Sequence, residues 1–396
     1  MSSDVSSTSD EEMEDLIIEA CAWWFNAAQV CMRDNWNEVR NDMKVTGKEW
    51  ILNILDNHHP RCYESFRLST DNFNILCDEL REKGLVSNGD VIIEEQVAMF
   101  LQIVGHATDM RKVGEDFQHS TETVWRCFNK VLHCVLLMQS DYIKLPGSNA
   151  PIHPELSEGT IYAPFKDALG AVDGTHILAF PDRDDEFSKE RFRNSKHGYS
   201  QNVMAAVDFD GNFLAVVAGW EGSAHDNSIL RKAVEDGFVV PSGKYYLVDG
   251  GYANTSEFLG PYRGKPYQLA EFCAQSQNQN QYECPEDLFN YRHAQLKNIV
   301  EKTFGILKTR FKICQWMRKY KFKTQTKVVI ACCVLHNFIK HHNRLQGISD
   351  EELFNGPAEN DLACGDDSIV GDMGASDTPE GDHLRSSIKN ILWATR

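Results

Sequence analysis

The chain has 396 residues, 42% of them hydrophobic, and a net charge of −18. That length predicts two domains with real cores; no apolar run approaches a membrane span, and the acidic start lacks the basic opening of a signal peptide. The twelve cysteines include no Cys-x-x-Cys pair, which argues against a zinc ribbon or disulfide framework and for a reducing compartment, cytosol or nucleus.

Residues 1–20 hold seven acids and no base, and they predict a disordered acidic tail. Residues 16–44 have enough apolar content for a helix. From 45 to 145 the periodicity is helical throughout, with Ser69 or Thr70 as a cap for a helix carrying Phe73, Leu76 and Leu80. A stripe of Val97, Phe100, Leu101 and Val104 marks the next helix. A short helix ending at Phe117, the turn Gln118-His119 and a longer helix capped by Ser120 then predict a helix-turn-helix, with Arg126 facing outward. A plain helical bundle gives the same pattern.

Residues 146–164, rich in Pro, Gly and Ser, read as a linker. The segment 165–340 then changes to strands. Leu169-Gly-Ala-Val-Asp173-Gly begins it, and a polar loop over Asp182–Lys196 follows. A hairpin comes next, its two arms starting at Tyr199 and Phe213 and turning at Asp210-Gly211-Asn212. His225-Asp226 opens a helix, and Tyr245-Tyr-Leu-Val-Asp249-Gly-Gly repeats the apolar-run-to-aspartate pattern. Residues 274–290 read as a flexible Gln/Asn-rich insertion before a helix from about Tyr291 to Phe311 and a last one over Val328–Ile339. Residues 341–396, eleven acids against four bases, predict a second disordered acidic tail. Between the tails, Lys297–Lys327 carries ten Lys or Arg and one acid, Glu301, so the protein is expected to have a basic face and acidic ends.

Three antiparallel strands, a helix, a strand and further helices is the order of a ribonuclease H-like α/β fold, a mixed sheet flanked by helices. Its first and fourth strands are neighbours, so Asp173 and Asp249 are expected side by side. Two adjacent carboxylates suit a hard divalent cation, Mg²⁺ or Mn²⁺, and phosphodiester cleavage commonly employs two. Glu301, beside the core-facing Val300, is the outstanding candidate for the third carboxylate; the alternative, one turn from Lys297, is an ordinary ion-pair partner. Asp226 reads as either a further metal ligand or a helix cap. Lys297, Lys308, Arg310 and Arg126 are the candidate phosphate contacts.

Four stretches together carry a resemblance: Val172-Asp173-Gly-Thr-His176, Trp220-Glu-Gly-Ser-Ala-His-Asp226-Asn-Ser, Asp249-Gly-Gly-Tyr252 and Ile299-Val-Glu301-Lys-Thr-Phe-Gly-Ile-Leu-Lys308. In this order they resemble the PIF/Harbinger transposase family, closely over 165–338. The resemblance implies a DDE endonuclease core with catalytic acids at Asp173, Asp249 and Glu301, with Asp226 associated with the metal site. It also implies nuclear action and a separate Myb/SANT-like DNA-binding partner. Related bacterial insertion-sequence enzymes carry Tyr-x2-Arg-x3-Glu-x6-Lys; this register falls here on Ala294, Lys297, Glu301 and Lys308, so the Tyr is absent and Lys stands for Arg. A domesticated, non-catalytic DNA- or chromatin-binding scaffold is the alternative.

Overall fold

The computed structural model describes residues 46–56, 60–181, 190–193, 198–265, 282, 284–348 and 376–395. The acidic tail over 1–20, the helix considered over 16–44 and most of the loop over 182–196 lie outside the described residues.

The first part is all helical: α1 (Gly47–Asp56), α2 (Pro60–Phe66), α3 (Thr70–Glu82), α4 (Ile93–His106), α5 (Met110–Phe117) and α6 (Thr121–Leu137). Local chemistry sets the boundaries. Ser69 caps α3 by accepting from the Asn72 amide at 3.2 Å, and Ser120 caps α6 by accepting from the Thr123 amide at 3.1 Å. Gln118 turns left-handed after α5, so three residues join α5 to α6.

A five-stranded sheet follows in the order β3-β2-β1-β4-β5: β1 (Ala168–Leu178), β2 (Ser200–Val207), β3 (Phe213–Glu221), β4 (Tyr245–Leu247) and β5 (Phe258–Leu259). β2 is antiparallel to both β1 and β3, whereas β1–β4 and β4–β5 are parallel, so the sheet is mixed. The expected adjacency of the first and fourth strands is present; β5 is an addition. A bulge between Ala168 and Gly170 bends β1. Gly170 sits there at φ +151°, where a Cβ would meet the Val207 carbonyl oxygen at 1.9 Å, so only glycine fits.

Alternation along β1 separates two cores. Ala171, with Val203, Ala205, Val207 and Leu247, joins the larger core and faces α8 (Pro285–Arg310), whose Val300, Phe304 and Leu307 lie on that side. Val172, with Met204, Ala206, Tyr246 and Val248, faces α7 (Asp226–Glu235) through Ile229 and Leu230. α9 (Phe322–Leu345) is buried along much of its length and lies between the helical part and β3.

Three expectations about domain limits are corrected. The helical part does not hang from a linker. Its core is continuous with that of the sheet, and Leu156 and Phe165 of the 146–164 segment and its border are buried in it. The join is polar as well: Asn72 donates to Asn343 Oδ1 at 2.7 Å, and Asn337 donates to the carbonyls of Tyr142 and Phe213. Secondly, α8 begins at Pro285 rather than Tyr291, inside the residues read as an insertion. Thirdly, 341–396 is not simply a tail, because α9 runs to Leu345 and α10 (Pro379–Ala394) packs against α8 and β5. Thr378 caps α10 by accepting from the Gly381 amide, and Ile388 and Leu392, one turn apart, are its buried face.

Candidate active site

β4 ends at Leu247, opposite Ala171, while β1 continues to Leu178 against β2 alone. Beyond that pairing β1 loses its parallel neighbour, and a gap opens at the sheet. Asp173 lies mid-strand, at the point where the adjacent strand stops. Asp249 follows β4 by two residues. Parallel register and two-residue alternation put both carboxylates on the α8 face. Their proximity is felt electrostatically, since the Asp249 charge helps to raise the Asp173 pKa.

Asp173 is 9% exposed, and Lys297, on the facing side of α8, is 5% exposed. The Lys297 ammonium donates to Asp173 Oδ2 at 2.5 Å and to Glu301 Oε1 at 2.9 Å. Glu301 thus sits at the rim of the gap, its side chain 54% exposed, joined to Asp173 through Lys297. Burial pushes the Asp173 carboxyl up to about 7; the Lys297 charge opposes that rise, and Asp249 and Glu301 add to it. Asp173 Oδ1 also accepts from the Gly174 amide at 2.8 Å, and Asp249 Oδ1 accepts from the Gly251 amide at 2.8 Å. Both aspartates are held by short local bonds that fix their rotamers.

Asp226 lies elsewhere. It occupies the first helical position of α7, after His225 at the N-cap. Asn202 donates to its Oδ1 at 2.6 Å, and a Cβ on Gly174 would meet that same oxygen at 2.7 Å. Gly174 is one residue beyond Asp173, so its missing side chain points to the opposite face of the sheet. The structure brings Asp173, Asp249, Lys297 and Glu301 together and leaves Asp226 across β1 from them.

The expected phosphate contacts divide. Lys308 donates to Thr175 Oγ1 at 2.8 Å and to the His176 carbonyl at 3.2 Å, and burial lowers its pKa. It braces β1 just beyond Asp173. Arg310 is 1% exposed and Lys297 faces inward, so neither presents its charge to a passing backbone; Arg126 is exposed. His176 receives a partner in Ser200, at 3.0 Å from its Nδ1.

Sequence reasoning missed the clamp on the Asp249 loop. Asn254 is buried in that loop. Its amide donates to Asp377 Oδ1 at 3.0 Å and its side chain to Asp382 Oδ1 at 3.1 Å, while its carbonyl accepts from the Thr378 amide at 2.9 Å. Arg263 donates to the carbonyls of Gly250 and Tyr252 and pairs with Asp377 at 3.4 Å. The cap signal Thr378-Pro379 was the available clue.

Three carboxylates with oxygen donors are the right chemistry for Mg²⁺ or Mn²⁺. Among the described residues, however, no three acidic, His or Cys side chains are gathered tightly enough to form a metal site. The cation between Asp173 and Glu301 in this arrangement is the Lys297 ammonium.

Comparison with known proteins gives two family matches and several relatives. Residues 42–137 match a domain of unknown function, DUF8040, and residues 172–337 match the DDE superfamily endonuclease family. The protein ALP1-like of Arabidopsis thaliana is 24% identical over 307 residues, 71% of each chain. Human HARBI1, named as a candidate nuclease, is 24% identical over 253 residues, 63% of this chain and 68% of its own. The Arabidopsis protein Antagonist of Like Heterochromatin Protein 1 is 23% identical over 293 residues, 69% of this chain and 71% of its own. No solved structure gives a significant match. Residues 172–337 carry a DDE superfamily endonuclease domain, and the chain is similar to the proteins ALP1-like and HARBI1.

Proposed function

We propose that the protein is a divalent-metal-dependent nuclease that hydrolyses DNA phosphodiester bonds, the freed 3′ ends being available for transfer. The observation that carries this reading is the placement of Asp173 and Asp249 on one face of the sheet, with Glu301 joined to them through Lys297. A scaffold has no use for a buried carboxylate, raised by that burial, beside two others. Asp173, Asp249 and Glu301 are the residues that would hold Mg²⁺ or Mn²⁺. When bound, such ions supply charge to the phosphate oxygens and acidify a water. The chain's own residues set the stage: Gly174 and Gly251 amides orient the aspartates, Lys308 steadies β1, and Lys297 keeps Asp173 and Glu301 together. Nuclear action and recognition of the target through a Myb/SANT-like partner are part of the same proposal, supported by the family resemblance.

One observation favours the scaffold reading. Lys297 already pairs with two of the three carboxylates, which relieves part of the repulsion that a metal would otherwise relieve. The name of the Arabidopsis relative as an antagonist of a heterochromatin protein is compatible with a chromatin role here.

The deciding experiment is nicking of supercoiled DNA by purified protein with Mn²⁺, Mg²⁺ or EDTA, beside Asp249→Asn. The expected result is metal-dependent nicking that the variant lacks. No nicking, together with no Mn²⁺-induced rise in melting temperature, removes the nuclease reading and leaves the scaffold.

A further inference from the structure

The turn from α8 to α9 and the start of α6 form one surface. From Lys302 to Ser349 the chain carries eleven Lys or Arg and no acid, in a protein with 58 acids against 40 bases. Part of this charge is committed internally: Lys308 to β1, Arg310 in the core, and Arg318, which donates to the Ala107 carbonyl at 2.5 Å. Lys319, Lys321, Lys323 and Lys327 remain exposed, and none of them forms an ion pair with any described residue. Lys319 lies over the Phe180 ring, 5.7 Å from its centre. Trp316, beside them, is 66% exposed.

The helical part meets this turn through aromatic rings. Tyr320 lies 5.9 Å from Trp125 and 5.6 Å from Phe128, both on α6. Arg126, next to Trp125, is exposed on the same helix. Asp109, which caps α5, and the exposed Glu122 bring negative charge to the helical side, so the lysines carry most of the binding.

These four lysines, within nine residues and with no ion pair to any described residue, repel one another. That arrangement is sustained by an anion with closely and regularly spaced charges, and duplex DNA presents one charge per ~1.7 Å of axis. The route from the site is fixed by β1. Gln325, at the start of α9, bonds both the amide and the carbonyl of Phe180, at 2.9 and 2.8 Å. Phe180 is seven residues along the chain from Asp173, or ~23 Å at the rise of an extended strand. At ~3.4 Å per step that is about seven base pairs.

We infer that Lys319, Lys321, Lys323 and Lys327, with Arg126 and Trp316, form a DNA-backbone track across the join of the two parts, about seven base pairs from the carboxylates. The choice of DNA as occupant rests on the nuclease reading; the position of the track does not.

The test uses the full chain carrying Asp249→Asn, in EDTA, so that the DNA stays uncut. Anisotropy of a labelled mixed-sequence duplex is titrated between about 50 and 200 mM salt. Replacing the four lysines by Gln should weaken binding at least tenfold and reduce the slope of log affinity against log salt by about three to four, since each phosphate no longer neutralised removes ~0.9. Arg126→Gln should reduce that slope by about one. An unchanged slope in either variant, with circular dichroism and melting temperature preserved, overturns the track. Polyglutamate binding as tightly as duplex, with the same lysine dependence, also overturns it and makes an acidic protein the occupant. Lysine-dependent DNA binding in a protein that neither nicks nor gains thermal stability from Mn²⁺ supports the track while removing the nuclease reading.

Discussion

Asp173 belongs to β1 and Asp226 lies against the next residue of that strand, Gly174, on the opposite face of the sheet, and the fold treats the two differently. Asp173 is buried against an ammonium group; burial pushes its pKa up to about 7, and two further carboxylates add to that rise. Asp226 is met by a neutral amide, Asn202, and fits into space that a glycine leaves open. On the first face, charge is balanced by charge, and the balance can be taken over by another cation. The second face is a packing solution with a hydrogen bond. Strand alternation, rather than residue type, separates the two roles.

The largest expected effect tests that separation directly. Asp249→Asn should reduce nicking about a thousandfold or more, ~4 kcal/mol of barrier, whereas Asp226→Asn should reduce it less than about tenfold. Equal losses, with both proteins folded, would break the comparison.

Next in size is Lys297→Met. It strands Asp173 without its counter-charge, and denaturant titration should show a loss of ~3–5 kcal/mol in stability. Added Mn²⁺ should raise the melting temperature of this variant more than that of the parent; an equal rise would mean that Lys297 does not stand in for a cation.

On the opposite face, Gly174→Ala drives a methyl group into Asp226 and should cost about 1–3 kcal/mol. Adding Asp226→Ala should recover most of that loss in a double-mutant cycle. No recovery would mean that the clash lies elsewhere.

The smallest effect is in the pH dependence of the α8 face. His293, whose Nε2 donates to the Leu259 carbonyl, is lowered by burial from an ordinary 6.5 to about 4. It therefore contributes stability above pH 6.5 that is lost as pH falls toward 4, because the unfolded chain takes the proton first. Asp173, raised from 3.8 to about 7, acts in the opposite sense: its contribution is present at low pH and is lost as pH rises through 7. Asp173→Asn removes the second effect, so its melting temperature should fall more steeply between pH 6.5 and 4 than that of the parent.

The adjacency of Asp173 and Asp249 was legible because strand order alone determines it. The caps at Ser69 and Ser120 were legible because capping is local. Asp226 was ambiguous because its role depends on which face of β1 it meets, a fact carried by Gly174 and Asn202 rather than by its own surroundings in the chain. Arg310 was misplaced by composition: the basic stretch suggested a surface, yet Arg310 falls three residues after Leu307 on the buried stripe. Net charge likewise hid α10, whose apolar pair Ile388 and Leu392 is spaced for a helix among acids. The Pro- and Gly-rich stretch before β1 passed for a linker because composition does not reveal that Leu156 and Phe165 are buried.

The clamp on Asn254 has a consequence for how the protein is made. Asp249 and its loop leave the ribosome more than a hundred residues before Asp377, Thr378 and Asp382 exist to hold them. At roughly 5–20 residues per second that delay is on the order of ten seconds. Once Glu301 has followed, and until Asp382 is made, the nascent chain has every carboxylate of the site but not the bonds that fix the Asp249 loop. A message truncated ahead of Thr378 would leave its product permanently in that unfinished state, with the apolar surface beneath α10 open to chaperones and proteases.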